Sequence, residues 1–301
     1  MAALPNQIAI VNPRPNNHRY HADAAVFRAK IDQPIQREIE NEGFVKLPEK
    51  GGYEYQPVGP FRIEGLISFE SGYTQVAGNP SAKHGGVSTL ATSVVEGLNV
   101  LDVLTCDRVV GQIFTEHPEY GKGHVPSISF LGTRFDNLRI AGQKVEIEPH
   151  LNILGPKPDN DESYFNDGGV FSRIAHQYSN IRRMAGLPQW ASEQFRFDES
   201  EIHNRNEMKC SLVSSVEGAP GTSFGHVIDL PFFGKIFLGE LTVKRELVNC
   251  GPNSDASDSD YYKYWIHLSM IKLKLGCPVE GSGDVAPLDS NGQGTQGGGH
   301  Q

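Results

Sequence analysis

Hydrophobic and polar residues alternate with a period of two through much of the chain. In the first clear run, Phe27, Ala29 and Ile31 alternate with Arg28 and Lys30. Successive side chains of a strand point to opposite faces, so this pattern predicts β-strands with one buried face. Together, the runs that predict strands span residues 25–31, 61–69, 87–104, 109–115, 128–130, 208–216, 236–243 and 265–275.

The number of these runs indicates the fold class. Strands of a parallel α/β sheet alternate with helices, whereas here turn-forming Gly, Pro, Asn and Asp separate them. We therefore predict a mainly β fold, an antiparallel sandwich or barrel. The clearest hairpin spans residues 135–147, and the run 265–275 is too long to stay regular without a bend or bulge.

One segment breaks the period of two and predicts an inserted α-helix at about residues 169–186. Asp167 is placed to cap its start, Gly186 to end it and Pro188 to prevent its continuation. Arg173 lies off the apolar stripe and is expected to matter little to stability. The stripe, which should face the sheets, consists of Val170, Ile174, Ile181 and Met184.

These elements divide the chain into three parts. Residues 1–21 are rich in Pro and Asn and predict an N-terminal arm. Residues 22–286 form the β domain, with a helical insertion at 156–198. Residues 287–301 are rich in Gly and poor in apolar side chains, so we expect a disordered tail.

Charge and hydropathy narrow the possible partners. The formal net charge of −9 and the lack of a cluster of Lys and Arg argue against a nucleic-acid partner. No run approaches the ~18 apolar residues of a membrane-spanning helix, and no signal-peptide pattern opens the chain. We expect an extracellular or cell-surface protein if a signal peptide was removed, and a cytoplasmic one otherwise.

The four cysteines do not identify a site. They are far apart and form no CxxC pair, which argues against structural zinc. Buried thiols and one or two disulfides remain alternatives, because the redox compartment is not known. The cysteines are Cys106, Cys210, Cys250 and Cys277.

An acidic loop before the predicted helix offers a calcium hypothesis. Asp159, Asp161 and Asp167 could supply carboxylate oxygens to Ca²⁺. The loop fails the EF-hand template, since Tyr164 and Val170 occupy the positions that require Gly and Glu. A solvated loop explains the same residues, so no cofactor is predicted and calcium is the alternative.

No recognised catalytic motif is present in the sequence. An acid and a base dispersed along the chain could still meet in the fold, and a pocket lined by two or more of them would favour an enzyme. The candidates are Asp107, His124, His176, His203 and Glu207.

The order of short motifs resembles the choice-of-anchor P family of bacterial proteins. One such motif is the turn Leu47-Pro48 followed by Gly51-Gly52. The other matching stretches are 24–31, 63–68, 95–100 leading to 105–109, 135–143, 229–236 and 266–273. The resemblance implies an exported surface protein whose relatives differ mainly in their attachment to the envelope. The sequence departs from that pattern in its helical insertion and in showing no sorting motif or C-terminal hydrophobic anchor.

Two functional hypotheses follow. The first is a noncatalytic bacterial cell-surface or envelope protein with a structural or binding role, which self-associates or binds a surface partner through its β-edges. The alternative is an enzyme with a cavity-type active site inside a β-barrel and an unknown substrate. The residues favour the first hypothesis without excluding the second.

Overall fold

The computed structural model of the protein describes residues 18–81, 86–119, 123–196, 206–248 and 261–291. The strands are β1 (Ala22–Ala24), β2 (Phe27–Gln33), β3 (Arg37–Glu42), β4 (Val45–Lys46), β5 (Gly52–Val58), β6 (Phe61–Ile63), β7 (Ile67–Phe69), β8 (Ser71–Pro80), β9 (Val87–Val100), β10 (Leu104–His117), β11 (Ser127–Ser129), β12 (Arg134–Asp136), β13 (Arg139–Ile140), β14 (Gln143–Lys144), β15 (Glu146–Pro149), β16 (Glu207–Ser211), β17 (Val213–Glu217), β18 (Thr222–Phe224), β19 (Val227–Leu230), β20 (Gly234–Val248), β21 (Tyr261–Leu275) and β22 (Glu280–Asn291). The helices are a 3-10 turn (Asp159–Asp161), α1 (Gly168–Arg182) and α2 (Gln189–Gln194).

The strands form two large antiparallel sheets and one small one. Sheet 1 has the order β18-β19-β20-β21-β22-β1-β4, with β16 beside β20, β2 beside β22 and β3 beside β2. Sheet 2 has the order β14-β13-β10-β9-β7-β6, with β8 beside β9, β5 beside β8, and β11 and β12 beside β10. A third sheet pairs β15 with β17. This architecture confirms the mainly β class.

The two large sheets pack face to face around a filled core. Strands β9 and β10 of sheet 2 lie against β21 and β22 of sheet 1. Gly111 of β10 marks a close approach, since a Cβ there would lie 2.9 Å from both Leu288 Cδ1 and Met270 Cγ. Side chains from both sheets, such as Val109 and Leu268, are fully buried between them. The observed architecture is therefore the sandwich, one of the two predicted forms.

In the central strands of sheet 1, the alternation of core-facing residues is interrupted partway along each strand. The interruption lies at the same level in all of them. Gly239 and Ala286, on either side of Met270, have φ values of +60° and +52°, outside the range of regular strands. The ladder is interrupted there, as the length of the run 265–275 predicted. The buried residues on the two sides of this level are Leu241 and Leu238 in β20, Leu268 and Ile271 in β21, and Leu288 and Val285 in β22.

Helix α1 confirms the predicted insertion. Asp167 Oδ1 accepts hydrogen bonds from the backbone N–H groups of Gly169 (2.6 Å) and Val170 (3.2 Å), which caps the helix start. Val170, Ile174 and Ile181 are buried, as their spacing predicted. A second short helix, α2, follows within the insertion and has no counterpart in the sequence-based prediction.

Two residues of this segment behave differently from the prediction. Met184 is 39% exposed, because the helix ends at Arg182 before the stripe reaches it. Arg173 holds the helix to the preceding loop, with Nε donating to Ile153 O (2.8 Å) and Nη2 donating to Leu154 O (2.7 Å). The expectation that Arg173 matters little was wrong, because burial periodicity does not show the hydrogen bonds of a polar side chain.

The predicted start of the disordered tail, at residue 287, lies too early in the chain. Residues up to Asn291 belong to β22, which pairs with β1 and β21, and Leu288 is fully buried in the core. The prediction failed because Gly, Pro and Asp hide the strand pattern. Residues 292–301 lie outside the described part of the chain.

Two further boundaries differ from the prediction. Tyr20, assigned to the N-terminal arm 1–21, is 4% exposed and packs over Gly51 and Gly78, so the packed domain begins before residue 22. The run 208–216 is two strands, β16 and β17, which belong to different sheets and meet at Leu212. The rest of the arm, residues 1–17, is outside the described residues.

Candidate functional site

Helices α1 and α2 lie over the outer face of sheet 1, the face turned away from sheet 2. Between the helices and the sheet is a cavity of about 350 Å³. This volume is at the low end of the ~300–1,000 Å³ typical of small-molecule sites. Its walls are Tyr178, Gln194, Phe195, Lys209, Cys210, His226, Phe237, Glu240, Leu241, Thr242, Lys272 and Lys274.

Helix α1 is fixed over the sheet by polar contacts as well as by its apolar stripe. Gln177 Nε2 donates to Ser211 O (3.0 Å) and Val213 O (3.1 Å), and its Oε1 accepts from Ser211 N (2.9 Å). Tyr178 OH donates to Lys209 O at 2.7 Å. These bonds satisfy backbone groups where β16 gives way to β17, and they place the Tyr178 ring in the cavity wall.

Helix α2 completes the enclosure with aromatic side chains. Trp190 packs edge-to-face against Phe237 at a centroid distance of 6.5 Å, and Lys235 Nζ lies 4.7 Å from the Trp190 ring centroid. Phe195 contacts Tyr178 and the His226 ring, each at 5.5 Å between centroids. The cavity is thus walled by rings whose edges and faces pack as in a protein core.

His226 is the most buried titratable side chain of these walls. It is 2% exposed, and its Nδ1 has no hydrogen-bond partner among the described residues. Burial lowers the pKa of His226 to about 4, so the imidazole is neutral at pH 7. A buried polar group without a partner costs free energy, and this nitrogen is fully buried rather than open to the cavity.

The cavity walls also include three lysines and one glutamate. Lys272 Nζ lies 3.2 Å from Glu240 Oε2, and the Lys272 side chain is 46% exposed. Lys209 pairs with Glu207 at 2.8 Å. Lys274 lies over the Phe237 ring at 5.3 Å and has no carboxylate within 4.0 Å in the described residues. The walls therefore carry more positive than negative side chains in a chain of net charge −9.

A second polar group, which we call the acidic network, lies on the same outer face nearer β1. Arg28 donates to Asp284 Oδ2 through Nε (3.0 Å) and Nη2 (2.7 Å). Ser269 Oγ donates to the other oxygen of Asp284. His267 Nδ1 is bonded to Asp289 Oδ1 at 2.9 Å, and Arg28 Nη2 lies 3.4 Å from His267 Nε2.

The acidic network ends in a pair of carboxyl groups. Burial and the adjacent Asp289 carboxylate raise the pKa of Asp23 to about 6. Burial opposes ionisation of Asp289 as well, but the hydrogen bond and charge of His267 outweigh it and lower the pKa of Asp289. Burial favours neutral His267, yet Asp289 outweighs it and raises the pKa of His267 above its ordinary value. Asp23 and Asp289 share a hydrogen bond and titrate as a pair.

The predicted acid and base candidates do not come together among the described residues. Asp107 is exposed in β10 and accepts a hydrogen bond from Asn137 Nδ2 (3.0 Å). His176 is exposed on α1, and His124 lies in the loop before β11. These three candidates stand on different elements, and none lines the cavity.

Glu207 comes nearer to the cavity. It pairs with Lys209 (2.8 Å), a wall residue, and with Lys244 (3.1 Å), so that their hydrogen bonds lower the pKa of its carboxyl. The Glu207 side chain is 37% exposed, so the group is an ordinary surface carboxylate held by two cations. His203 lies outside the described residues.

The three carboxylates of the calcium hypothesis have other roles. Asp161 accepts from the backbone N–H of His124 (2.6 Å) and of Val125 (2.8 Å), and it pairs with Lys157 (3.4 Å). Asp167 caps α1, and Asp159 is exposed. Across the described ranges, no three His, Cys, Asp or Glu side chains are arranged to hold a metal ion. The predicted ligand set is therefore not assembled.

The cysteines that the structure describes are free thiols. Cys106 and Cys210 are buried and Cys277 is exposed, while Cys250 is outside the described residues. Burial raises the pKa of both Cys106 and Cys210 to about 12, so both remain protonated. Neither buried thiol is activated for nucleophilic attack.

Sequence reasoning missed the cavity, although part of its signal is visible. Lys272 and Lys274 alternate with Ile271, Leu273 and Leu275, which marks a strand with one charged face. His226 is one of eleven histidines and follows Gly225 without a distinguishing motif. Only the folding of α1 and α2 over this face brings these residues into one enclosure.

The fold and its cavity define a mainly β antiparallel sandwich with a helix-covered outer face. Residues 18–244 match the model of a family described as a domain of unknown function (DUF8256). The match covers most of the chain, and the protein belongs to this family. No curated protein and no solved structure matches the chain. The match ends within β20, so Lys272 and Lys274 lie beyond it.

The helices bear on the expectation that the chain has no membrane span. None of the helices in the described residues is long and apolar enough to cross a bilayer.

Proposed function

We propose that this protein is a noncatalytic structural or binding protein of the bacterial envelope or cell surface. The observation that carries the proposal is the state of the cavity: its buried titratable groups are a neutral histidine, a protonated cysteine, and Tyr178, whose hydroxyl donates to the Lys209 carbonyl oxygen. Catalysis by such groups requires an adjacent base, acid or charge. Binding requires only walls of suitable shape and polarity.

The sandwich interior supports the same proposal. The space between sheets 1 and 2 is filled by apolar side chains, including Phe27, Leu98 and Ile113, which are at most 1% exposed. A filled interior provides a rigid scaffold rather than an internal active site. Envelope location follows the choice-of-anchor P resemblance and stays a prediction.

An exposed edge strand supports a role in surface interaction. Strand β5 pairs with β8 on one side only, among the strands that the structure describes. Its side chains are exposed on both faces, and Tyr53 and Tyr55 are 60% and 47% exposed. Edge strands can pair with further chains, and tyrosine is enriched at protein interfaces. We propose β5 as the edge through which a copy or a partner binds.

Two measurements test this proposal. Fractionation of the native bacterium should place the protein in the envelope or outside the cell. Purified protein should show no turnover of ester, glycoside or cyclic substrates. A cytoplasmic protein that turns over one substrate, with loss of turnover on substitution of one His or Asp, would refute it.

One observation favours the alternative of an enzyme. In the acidic network, Asp23 and Asp289 share a hydrogen bond beside His267, an arrangement suited to general acid–base chemistry. If turnover is found, Asp289→Asn should abolish it while Asp107→Asn leaves it unchanged. Activity that survives Asp289→Asn would remove this cluster as the active centre.

A further inference from the structure

The outer face of sheet 2, turned away from sheet 1, presents aromatic side chains to solvent. Three neighbouring rows of directly paired residues cross it from β5 through β8 and β9 to β10, and they begin at Tyr53, Tyr55 and Pro57. Gly111, which lies between Val110 and Gln112 of these rows, faces sheet 1, so the rows face outward. We call the surface formed by these rows the tyrosine face.

The tyrosine face is uncharged. No Asp, Glu, Lys, Arg or His occupies any position of its three rows between β5 and β10, all of which the structure describes. Charge returns in the flanking rows, with Glu96 and Arg108 on one side and Glu116 on the other. Since Asp, Glu, Lys and Arg make up 21% of the chain, a surface of this extent without them is complementary to a partner that carries no charge.

The two valines of the tyrosine face are already covered. Val94 and Val110 lie outside the core of the sandwich, yet they are 0% and 5% exposed. Tyr53 and Tyr55 are 60% and 47% exposed, and the Tyr55 ring packs against the Tyr73 ring at 5.6 Å between centroids. What the face offers to solvent next to β5 is therefore aromatic ring surface rather than aliphatic groups.

Side-chain amides lie among these rings. Gln75 is paired with Tyr55, and Gln112 lies in the same row, where its Nε2 donates to Thr92 Oγ1 at 3.2 Å. An amide both donates and accepts hydrogen bonds, as sugar hydroxyls require. A sugar ring also has a face of C–H groups, which packs on an aromatic ring. Tyr53 and Tyr55, about 7 Å apart along β5, offer two such contacts to one chain of sugars.

We propose that the tyrosine face binds a neutral polysaccharide. The sugar rings pack on Tyr53, Tyr55 and Tyr73, and their hydroxyls bond to Gln75 and Gln112. This inference names a partner for the noncatalytic binding role and rests on that proposal. It uses the side chains of β5 and not the backbone of its free edge.

Native gel electrophoresis of the full chain in gels that contain a neutral polymer tests the assignment. The probes are hydroxyethylcellulose, xyloglucan, galactomannan and dextran, each compared with a polymer-free gel. We expect at least one of them to slow the protein. Titration calorimetry with that polymer should give the same affinity at about 0.05 M and about 0.5 M NaCl, because no charged group takes part.

Three variants assign the binding to the rings. Tyr55→Ala should weaken binding about tenfold, since exposed aromatic residues carry much of the affinity of such surfaces. Tyr55→Phe keeps the ring and should stay within about twofold of the wild type. Phe232→Ala is the matched control, because Phe232 is 85% exposed on a turn of sheet 1 and should not affect binding. Thermal melting should be nearly the same for all three, as each side chain is exposed.

The outcomes separate the two proposals. If none of the polymers slows the protein, or if Tyr55→Ala binds as well as Phe232→Ala, the polysaccharide assignment is wrong and the noncatalytic role is untouched. If the wild type is a dimer that Tyr55→Ala converts to a monomer, the face binds a second copy and the assignment is wrong. If the bound polymer is shortened during incubation, the site stands and the noncatalytic role is wrong.

Discussion

His226 and His267 lie over the same sheet, and burial lowers the affinity of both imidazoles for a proton. Burial alone decides the state of His226 and lowers its pKa to about 4. At His267 the Asp289 carboxylate, 2.9 Å away, outweighs burial and raises the pKa. One histidine is therefore neutral with an unpartnered nitrogen, and the charged form of the other is favoured by its partners.

This difference shows how each region treats its buried polar groups. In the acidic network, Arg28, Ser269 and Asp289 satisfy the groups they face, so an incoming molecule would have to displace an existing bond. His226 Nδ1 has no bond to lose among the described residues, but it is fully buried, so a partner reaches it only if the packing around it opens. The network is a satisfied structural element, whereas His226 is a buried polar group that costs free energy.

The largest expected effect comes from removing the C-terminal part of β22. Truncation after Ala286 deletes Leu288, which is fully buried, together with Asp289 and the pairing of β22 with β1. We expect the protein not to fold, since the part of a central strand that joins β1 to β21 is lost. Circular dichroism and thermal melting check this, and truncation after Asn291 is the matched control. A cooperative melt near the wild-type temperature for the shorter chain would contradict the position of β22.

The next effect concerns the packing of helix α1 beside His226. Ile181 is 1% exposed, and a Cβ on Gly225, the neighbour of His226, would lie 2.7 Å from Ile181 Cγ1. Ile181→Ala should cost about 4 kcal/mol in urea unfolding. It should also raise the pKa of His226 toward 6.5, because water would reach the imidazole. Met184→Ala, at an exposed position, should leave both quantities nearly unchanged.

The pH dependence of stability tests the neutral state of His226. Its folded pKa of about 4 is below the ordinary value of 6.5, so the unfolded chain binds more protons between these pH values. The contribution of neutral His226 to the free energy of unfolding is complete above pH 6.5 and is lost as the pH falls toward 4. This contribution amounts to about 3 kcal/mol.

Other buried histidines also contribute to the pH dependence of stability. The His226→Leu variant therefore measures how much of that dependence is due to His226. Burial also lowers the pKa of His18 to about 4 and that of His117 to about 3. Unfolding free energies measured from pH 4 to pH 7 should rise less steeply in His226→Leu than in the wild type. Equal slopes would mean that His226 is not buried in its neutral form.

The smallest expected effect distinguishes the influence of Asp289 on the pKa of His267 from the influence of burial. Asp289→Asn removes the charge that holds the proton on His267, so NMR titration should show a lower pKa for His267. The raised pKa of His267 stabilises the fold below 6.5, and this gain is lost as the pH rises through the folded pKa. Both side chains are at least one-third exposed, so the change in stability should stay below about 1 kcal/mol. An unchanged His267 titration would show that Asp289 does not set its state.

The elements that repeat a strong local pattern were predictable from the sequence. Strand β9 and helix α1 were identified because their apolar positions follow one period and their ends carry turn or capping residues. Strand β22 was missed because Gly283, Asp284 and Pro287 belong to no such pattern. Its strand form depends on tertiary pairing, since β1 and β2, far away in sequence, supply its hydrogen bonds together with the preceding β21.

The site was less predictable than the fold. The five candidate acids and bases were chosen by residue type, which says nothing about which side chains meet. His226 becomes distinctive only when Phe195 and the sheet enclose it, and Asp289 only when β22 is recognised as a strand. These are tertiary properties, and the local sequence around each residue does not encode them.

The break at Met270 links the two regions compared above. His267 and Lys272 are five positions apart in β21, an odd interval, so strict alternation would send one of them to the opposite side. Both nevertheless lie on the outer face, because Gly239 and Ala286 flank a change of parity between them. If side chains alternated without interruption along β21, Lys272 and Lys274 would point into the sandwich. The charge of the cavity walls is thus set by two residues of the scaffold that do not line the cavity.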